Sequence, residues 1–139
     1  MKMIAALAMI GLAGAGVAAA AAAAVADDPV DRAEARAQRI LSGRTAEPEV
    51  PCVSQRRLRG TQSLADGGIL FGGDGDALVY VNRPGGGCPA LTGGRFLVTR
   101  TPGAQLCEGD IAVVRETGGN IEVGSCALGP FTPYRRARR

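Results

Sequence analysis

The stretch of sequence that decides the fold is residues 69–81, ILFGGDGDALVYV. Two short runs, 69–71 and 78–81, consist of apolar, β-branched and aromatic residues, and the run 72–75 between them is glycine-rich. Residues of the first kind are typical of strands, and Gly and Asp are typical of the tight turns that join strands. The stretch therefore predicts two antiparallel strands connected by a hairpin turn.

The same alternation of short strand and turn continues on both sides of this hairpin. Strand-like runs recur at 96–98, 111–114 and 121–123, a weaker one covers Val53 to Leu64, and clusters of Gly, Pro and Asn separate them. No helical period of apolar residues interrupts the series. We therefore predict a mainly β domain over residues 52–133, a small antiparallel barrel or sandwich of about six short strands.

Residues 27–51 are predicted to form one short helix, over 28–43, and a linker. Asp28 is placed to cap the helix N-terminus, Pro29 suits the first helical position, and Gly43 supplies the stop. The apolar residues of the helix share one face: Val30, Ala33, Ala37, Ile40 and Leu41. Such a face is suited either to a partner or to the surface of the domain, and its small side chains favour the domain.

Residues 1–26 have the composition of an export signal. Twenty-two of them are apolar, Lys2 supplies a positive charge near the start, and residues 24–26 fit the small-x-small pattern before a cleavage site. A retained transmembrane helix is the alternative, because Met3 to Ala26 is long enough to span a bilayer. Alanine favours the membrane only weakly, and no cluster of positive charges follows the segment. We therefore predict a cleaved signal peptide and a periplasmic or secreted protein.

The cysteines fit an oxidising compartment. All four follow the predicted signal, at Cys52, Cys88, Cys107 and Cys126. An even number in an exported chain predicts two disulfides and leaves three connectivities open, whereas a zinc site would need paired C-x₂-C spacings. The chain has five aromatic residues and 21 glycines, so the predicted core is thin. Each disulfide would remove on the order of 4 kcal/mol of unfolded-state entropy.

Several kinds of catalytic site are excluded by composition. The chain has no histidine, which excludes Ser-His and Cys-His nucleophile pairs and His-ligated metals. Asp74, Asp76, Glu108 and Asp110 are candidates for a catalytic carboxylate pair, but no pattern places two of them opposite each other. Asp110 is instead expected to accept backbone hydrogen bonds in a turn. The run 72–75 lacks the repetition and Asp spacing of calcium-binding repeats. No catalytic residue, metal or cofactor is predicted.

Positive charge is concentrated at the C-terminus. The formal net charge is +3, and four of the last five residues are arginines: Arg135, Arg136, Arg138 and Arg139. Arginine binds phosphate groups bidentately, so these residues are predicted to bind anions weakly and to contact an anionic membrane surface. Residues 134–139 are predicted to form a mobile basic tail, and a solvated tail without a binding role is the alternative. No nucleic acid partner is expected for an exported protein.

Three segments around the last three cysteines resemble a known family. Residues 88–91 read CPAL, residues 106–110 read LCEGD and residues 126–133 read CALGPFTP. They resemble the C-P-x-L, L-C-x-x-D and C-x-L-G-x-F-x-P motifs of small exported domains of unknown function in Alphaproteobacteria, particularly sphingomonads. The resemblance covers residues 52–133 and implies a periplasmic β-domain of a Gram-negative cell.

The resemblance also implies a disulfide pairing. Related members often keep only the cysteines that correspond to Cys88 and Cys126, which implies a Cys88–Cys126 disulfide and leaves Cys52–Cys107. The predicted function is a non-enzymatic binding or envelope-interaction module whose partner is an unknown envelope component. The alternative is a small envelope hydrolase or inhibitor-type domain that uses surface carboxylates. A pocket lined by two acidic residues would favour the hydrolase, and a flat apolar patch would favour the binding module.

Overall fold

The computed structural model describes residues 28–137, and within them one α-helix precedes ten short strands. Helix α1 spans Pro29–Leu41, a short 3₁₀ helix spans Gln55–Arg57, and the strands are β1 (Arg44–Ala46), β2 (Cys52–Ser54), β3 (Thr61–Ser63), β4 (Ile69–Phe71), β5 (Leu78–Asn82), β6 (Phe96–Thr99), β7 (Gln105–Cys107), β8 (Ile111–Arg115), β9 (Glu122–Ala127) and β10 (Phe131–Arg136). They form three antiparallel sheets with the orders β1-β10-β5-β4-β3, β2-β7 and β6-β8-β9. The mainly β prediction is confirmed, and the arrangement is sandwich-like rather than a closed barrel. The predicted signal peptide lies outside the described residues.

The described residues contain more strands than the six predicted, because several are too short to show an alternating apolar pattern. The weak strand predicted from Val53 to Leu64 is two strands, β2 and β3, separated by the 3₁₀ helix. Residues 44–46, predicted as part of the linker, form β1 and pair with β10. Val50 makes a further bridge to Phe131. The predicted linker is therefore an edge of the five-stranded sheet.

Strands β4 and β5 lie inside the five-stranded sheet and are covered on both faces. Successive residues of a strand point to opposite faces. Phe71 and Tyr80 therefore contact the main core, whereas Leu70 and Val79 contact the side on which α1 lies. Strands covered on both faces bury side chains of both orientations, which explains why the runs 69–71 and 78–81 are apolar at every position. The hairpin predicted there is confirmed, since β4 and β5 pair antiparallel.

Helix α1 packs on the five-stranded sheet through two buried side chains. Ala37 and Ile40 are fully buried in a cluster with residues of β4 and β5. The predicted caps are also present. The Asp28 side chain accepts a hydrogen bond from the Val30 N–H at 2.9 Å, and Gly43 adopts a φ of +70°, which favours glycine. The small apolar face therefore covers the sheet of its own domain.

Arg44 connects the end of α1 to the loop between β4 and β5. Its Nε donates to the Ile40 carbonyl at 2.6 Å and its Nη2 donates to the Asp76 carbonyl at 2.7 Å. Burial lowers the pKa of Arg44, and the positive charge of Arg136 lowers it further. One side chain thus satisfies a carbonyl group at the helix C-terminus and another in the hairpin loop.

We expect Arg44→Met to lower the free energy of unfolding by about 2 kcal/mol, because it leaves two carbonyl groups without charge-assisted hydrogen bonds while keeping the aliphatic stem. Urea denaturation of the oxidised protein measures this change. Arg36→Met on the exposed side of α1 is the control and should have little effect. Equal losses in the two variants would contradict the role assigned to Arg44.

Candidate functional site

Both predicted disulfides are present. Cys88 and Cys126 are bonded within the main core, where they are 3% and 7% exposed. Cys52 and Cys107 are bonded directly across the β2-β7 ladder, and both are partly exposed. The prediction of two disulfides is confirmed, and the pairing is the one implied by the family resemblance.

The candidate carboxylates occupy two different loops. Asp74 and Asp76 lie between β4 and β5, whereas Glu108 and Asp110 lie between β7 and β8. One oxygen of Asp76 accepts a hydrogen bond from the Gly73 N–H at 2.8 Å. Asp110 accepts one from the Cys107 N–H at 2.8 Å, so the turn role predicted for Asp110 is confirmed. Asp76 and Asp110 each stabilise a turn in this arrangement.

Two of the C-terminal arginines belong to a strand rather than to a tail. Residues 134–136, predicted as the start of a mobile segment, form the end of β10 and pair with β1 and β5. Arg135 makes an ion pair with Glu47, and Arg136 donates to the Asp74 carbonyl. The predicted boundary was therefore wrong for these residues, because β-pairing extends beyond Pro133. Arg138 and Arg139 lie outside the described residues, and anion binding by the four arginines remains a prediction.

The Glu47–Arg135 pair stabilises the contact between β10 and the segment after β1. The hydrogen bond from Arg135 lowers the pKa of Glu47, and the charge of Arg135 lowers it further. The same hydrogen bond raises the pKa of Arg135, with a smaller contribution from the Glu47 charge. Both groups therefore stay charged at neutral pH, and Arg135 is occupied by an internal partner.

A different group of arginines surrounds an open cleft, here called the arginine cleft. Its volume is about 290 Å³, and it is lined by Arg56, Arg57, Arg59, Asp76, Ala77, Leu78 and Tyr80. The three arginines come from the 3₁₀ helix and the residues that follow it, and the other lining residues come from the β4–β5 loop and β5. The cleft thus lies between a basic segment and one strand of the five-stranded sheet.

The local sequence explains why these arginines point outward. Leu58, between Arg57 and Arg59, packs against the main core, and its N–H donates to the Gln55 carbonyl at 3.1 Å. This apolar anchor leaves the flanking arginine side chains exposed. No described residue forms a hydrogen bond or ion pair with the guanidinium groups of Arg56, Arg57 or Arg59. Three positive charges therefore face solvent without an internal counter-ion.

Tyr80 lines the same cleft from β5. Its side chain is 4% exposed, and its hydroxyl forms no hydrogen bond with any residue in the range 28–137. Its Oη is not among the fully buried side-chain atoms without a partner in the described residues, so the hydroxyl opens into the cleft. Arg135 lies opposite Leu78 in the β10-β5 ladder and therefore borders the cleft on the same face of the sheet.

The arginine cleft was missed at the level of sequence, although a signal for it exists. Residues 56–59 read RRLR, three arginines in four residues, which is nearly as basic as residues 135–139 with four in five. The segment lies inside a region predicted as one weak strand, and strand residues would alternate between the two faces. The 3₁₀ helix breaks that alternation and leaves three arginines beside β5.

Comparisons of the chain with models of protein families, with curated proteins and with solved structures found no match. Within residues 28–137, no helix is long and apolar enough to cross a membrane. No group of three or more potential metal-ligating side chains is found in the same part of the chain.

Proposed function

We propose that this protein is an exported, non-enzymatic binding module that acts in the periplasm of a Gram-negative cell and binds an envelope component through the arginine cleft. The proposed location is supported by the two disulfides, which persist in oxidising compartments. It is also supported by the signal-like composition of residues 1–26.

The observation that carries the binding function is the set of three arginines without internal partners. Guanidinium groups are planar donors with five N–H bonds and are weakly hydrated, so they bind carboxylate and phosphate groups well. In folded domains, arginines often pair with acidic side chains, as Arg83 does with Asp66 and Arg95 does with Glu116. The exposed arginines of the cleft are available to a ligand in a way that these paired arginines are not.

A binding role also fits the positions of the carboxylates better than hydrolysis does. A glycoside hydrolase needs two carboxyl groups on either side of the scissile bond. Asp76 and Asp110 each accept a backbone hydrogen bond in their own turn. Asp76 is the one carboxylate among the residues that line the arginine cleft.

Export is tested by the mass of the protein recovered from cells. We expect the chain to start near Asp27, because residues 24–26 fit a cleavage site. The intact mass of the protein from the periplasmic fraction gives the first residue of the mature chain directly. Full-length protein in the membrane fraction would contradict cleavage and indicate an anchor.

Binding is tested by affinity capture from a periplasmic extract with the mature, oxidised protein as bait. The informative bait carries Arg56→Gln, Arg57→Gln and Arg59→Gln, and should lose the components captured by the wild type. A matched bait removes the same charge elsewhere through Arg36→Gln, Arg39→Gln and Arg100→Gln, all at exposed positions. Identical capture by all three baits would contradict binding at the arginine cleft.

A further inference from the structure

We propose that the arginine cleft recognises a phosphoryl group, with Arg56, Arg57 and Arg59 as its cationic ligands and the Tyr80 hydroxyl as a neutral hydrogen-bond donor. This inference rests on the proposed binding function and names the chemical class of its ligand. Two independent features of the cleft support it: its charge and the unused donor at Tyr80.

The charge of the cleft matches a phosphate ester better than a carboxylate. Three arginines and Asp76 give the lining a formal charge of +2. Asp76 already accepts a hydrogen bond from Gly73, which holds one of its oxygens in the hairpin loop. A phosphate monoester carries a charge of about −1.5 to −2 at pH 7 and has three strongly accepting oxygens. Three guanidinium groups can bind such an anion with several charge-assisted hydrogen bonds.

The Tyr80 hydroxyl supplies the second feature. The residue is 4% exposed, lines the cleft and has no hydrogen-bond partner among the described residues. Its Oη is not one of the fully buried atoms without a partner, so the hydroxyl opens into the cleft and can donate a hydrogen bond to an oxyanion there. Arg135 is paired with Glu47 at the border of the cleft, so it is not required as a ligand.

The cleft also accepts more than a bare ion. Its volume of about 290 Å³ is near the lower end for small-molecule sites, and Ala77 and Leu78 add an apolar portion to the lining. A phosphoryl group with a small organic substituent fits this combination. The ligand is therefore either a soluble phosphate monoester or the phosphomonoester headgroup of an anionic lipid, which share the same recognition chemistry.

The test uses inorganic phosphate and vesicles that contain phosphatidic acid, a phosphomonoester lipid, as probes of the oxidised mature protein at low ionic strength. Phosphate should be detected by calorimetry, and acetate at the same concentration should bind more weakly. The variant with Arg56→Gln, Arg57→Gln and Arg59→Gln should lose phosphate affinity by about tenfold or more, the effect of losing at least one charge-assisted hydrogen bond. Tyr80→Phe should weaken binding by about threefold to tenfold.

The matched control with Arg36→Gln, Arg39→Gln and Arg100→Gln distinguishes binding at a specific site from attraction by the net charge of the protein. Its phosphate affinity should stay within about twofold of wild type, since these positions lie outside the cleft. Equal losses in the two triple variants would overturn the proposal, as would acetate binding as tightly as phosphate. Thermal melting shows whether each variant is folded, and the exposed arginine substitutions keep the test valid if Tyr80→Phe unfolds the protein.

The two probes separate the two sources of the phosphoryl group. Vesicle binding that phosphate inhibits, and that the cleft variant loses, identifies a lipid headgroup. Phosphate binding without vesicle binding identifies a soluble ester. If the wild type binds neither probe, phosphoryl recognition is wrong, whereas cleft-dependent capture from the periplasm would still support the proposed function.

Discussion

Replacing both Cys88 and Cys126 by alanine is expected to destabilise the protein more than replacing both Cys52 and Cys107. Loop closure alone makes the disulfides nearly equal, because they span 38 and 55 residues and each contributes on the order of 4 kcal/mol in the chain-entropy model. The difference comes from their positions. Cys88–Cys126 is buried in the main core and connects the segment after β5 to strand β9. Cys52–Cys107 joins strands that already share a hydrogen-bonded ladder.

The variant without Cys88 and Cys126 is here called the core variant, and the variant without Cys52 and Cys107 the ladder variant. We expect the free energy of unfolding of the core variant to fall by about 1–2 kcal/mol more than that of the ladder variant, because removing buried sulfur atoms also leaves a cavity. For a domain of this size, that difference lowers the melting temperature by roughly a further 5–10 °C. Calorimetry of the two double variants makes the comparison. A ladder variant that melts at or below the core variant would contradict this ranking. Non-reducing peptide mapping checks the connectivity itself, and a peptide that links Cys52 to Cys88 or to Cys126 would show different pairing.

The central hairpin could be predicted from sequence because both faces of its strands are buried. Residues 69–71 and 78–81 have apolar side chains at nearly every position, and glycines mark the turn between them. The helix was predictable for a similar reason. Asp28, Pro29 and Gly43 are local signals for its two ends, and these signals depend little on the rest of the fold.

Strands β1 and β10 of the five-stranded sheet could not be predicted in the same way. β10 contains Pro133, and a proline inside a run argues against a strand in the middle of a sheet. The strand nevertheless lies between β1 and β5, and the Pro133 carbonyl accepts a hydrogen bond from the Glu47 N–H at 2.8 Å. β1 is three residues long and polar, so only its pairing with β10 defines it.

The arginine cleft depends on long-range contacts, which explains why the sequence did not indicate it. Residues 135 and 136 are adjacent to other arginines in sequence, but both have internal partners in the fold. Arg56, Arg57 and Arg59 become a site only because Leu58 packs into the core and places them beside Tyr80. The burial of Leu58 and Tyr80 therefore has to be known before the site can be recognised.

Asn82 stabilises the β9–β10 connection, which leads from the three-stranded sheet to the five-stranded sheet. It is fully buried at the end of β5. Its Nδ2 donates to the Gly129 carbonyl at 2.6 Å, and its Oδ1 accepts from the Gly129 N–H at 3.0 Å. Gly129 lies in the connection between β9 and β10, and a Cβ added there would lie 2.2 Å from the Arg83 carbonyl oxygen. The close approach requires glycine, and the Asn82 amide satisfies both backbone groups of that residue.

We therefore expect Asn82→Ala to lower the free energy of unfolding by about 3–4 kcal/mol, because it leaves a buried N–H and a buried carbonyl without partners and creates a small cavity. Urea denaturation of the oxidised protein at neutral pH measures this loss. Gln105→Ala truncates an amide at an exposed position of β7 and serves as the control. A loss no larger than that of the control would show that Asn82 does not stabilise the β9–β10 connection.

A loss of the expected size with both disulfides intact would show that the covalent link at Cys88–Cys126 does not replace the hydrogen bonds of Asn82. The reason is geometric, since the disulfide connects β9 to the segment after β5, whereas the Asn82 amide determines how closely the backbone at Gly129 approaches Arg83.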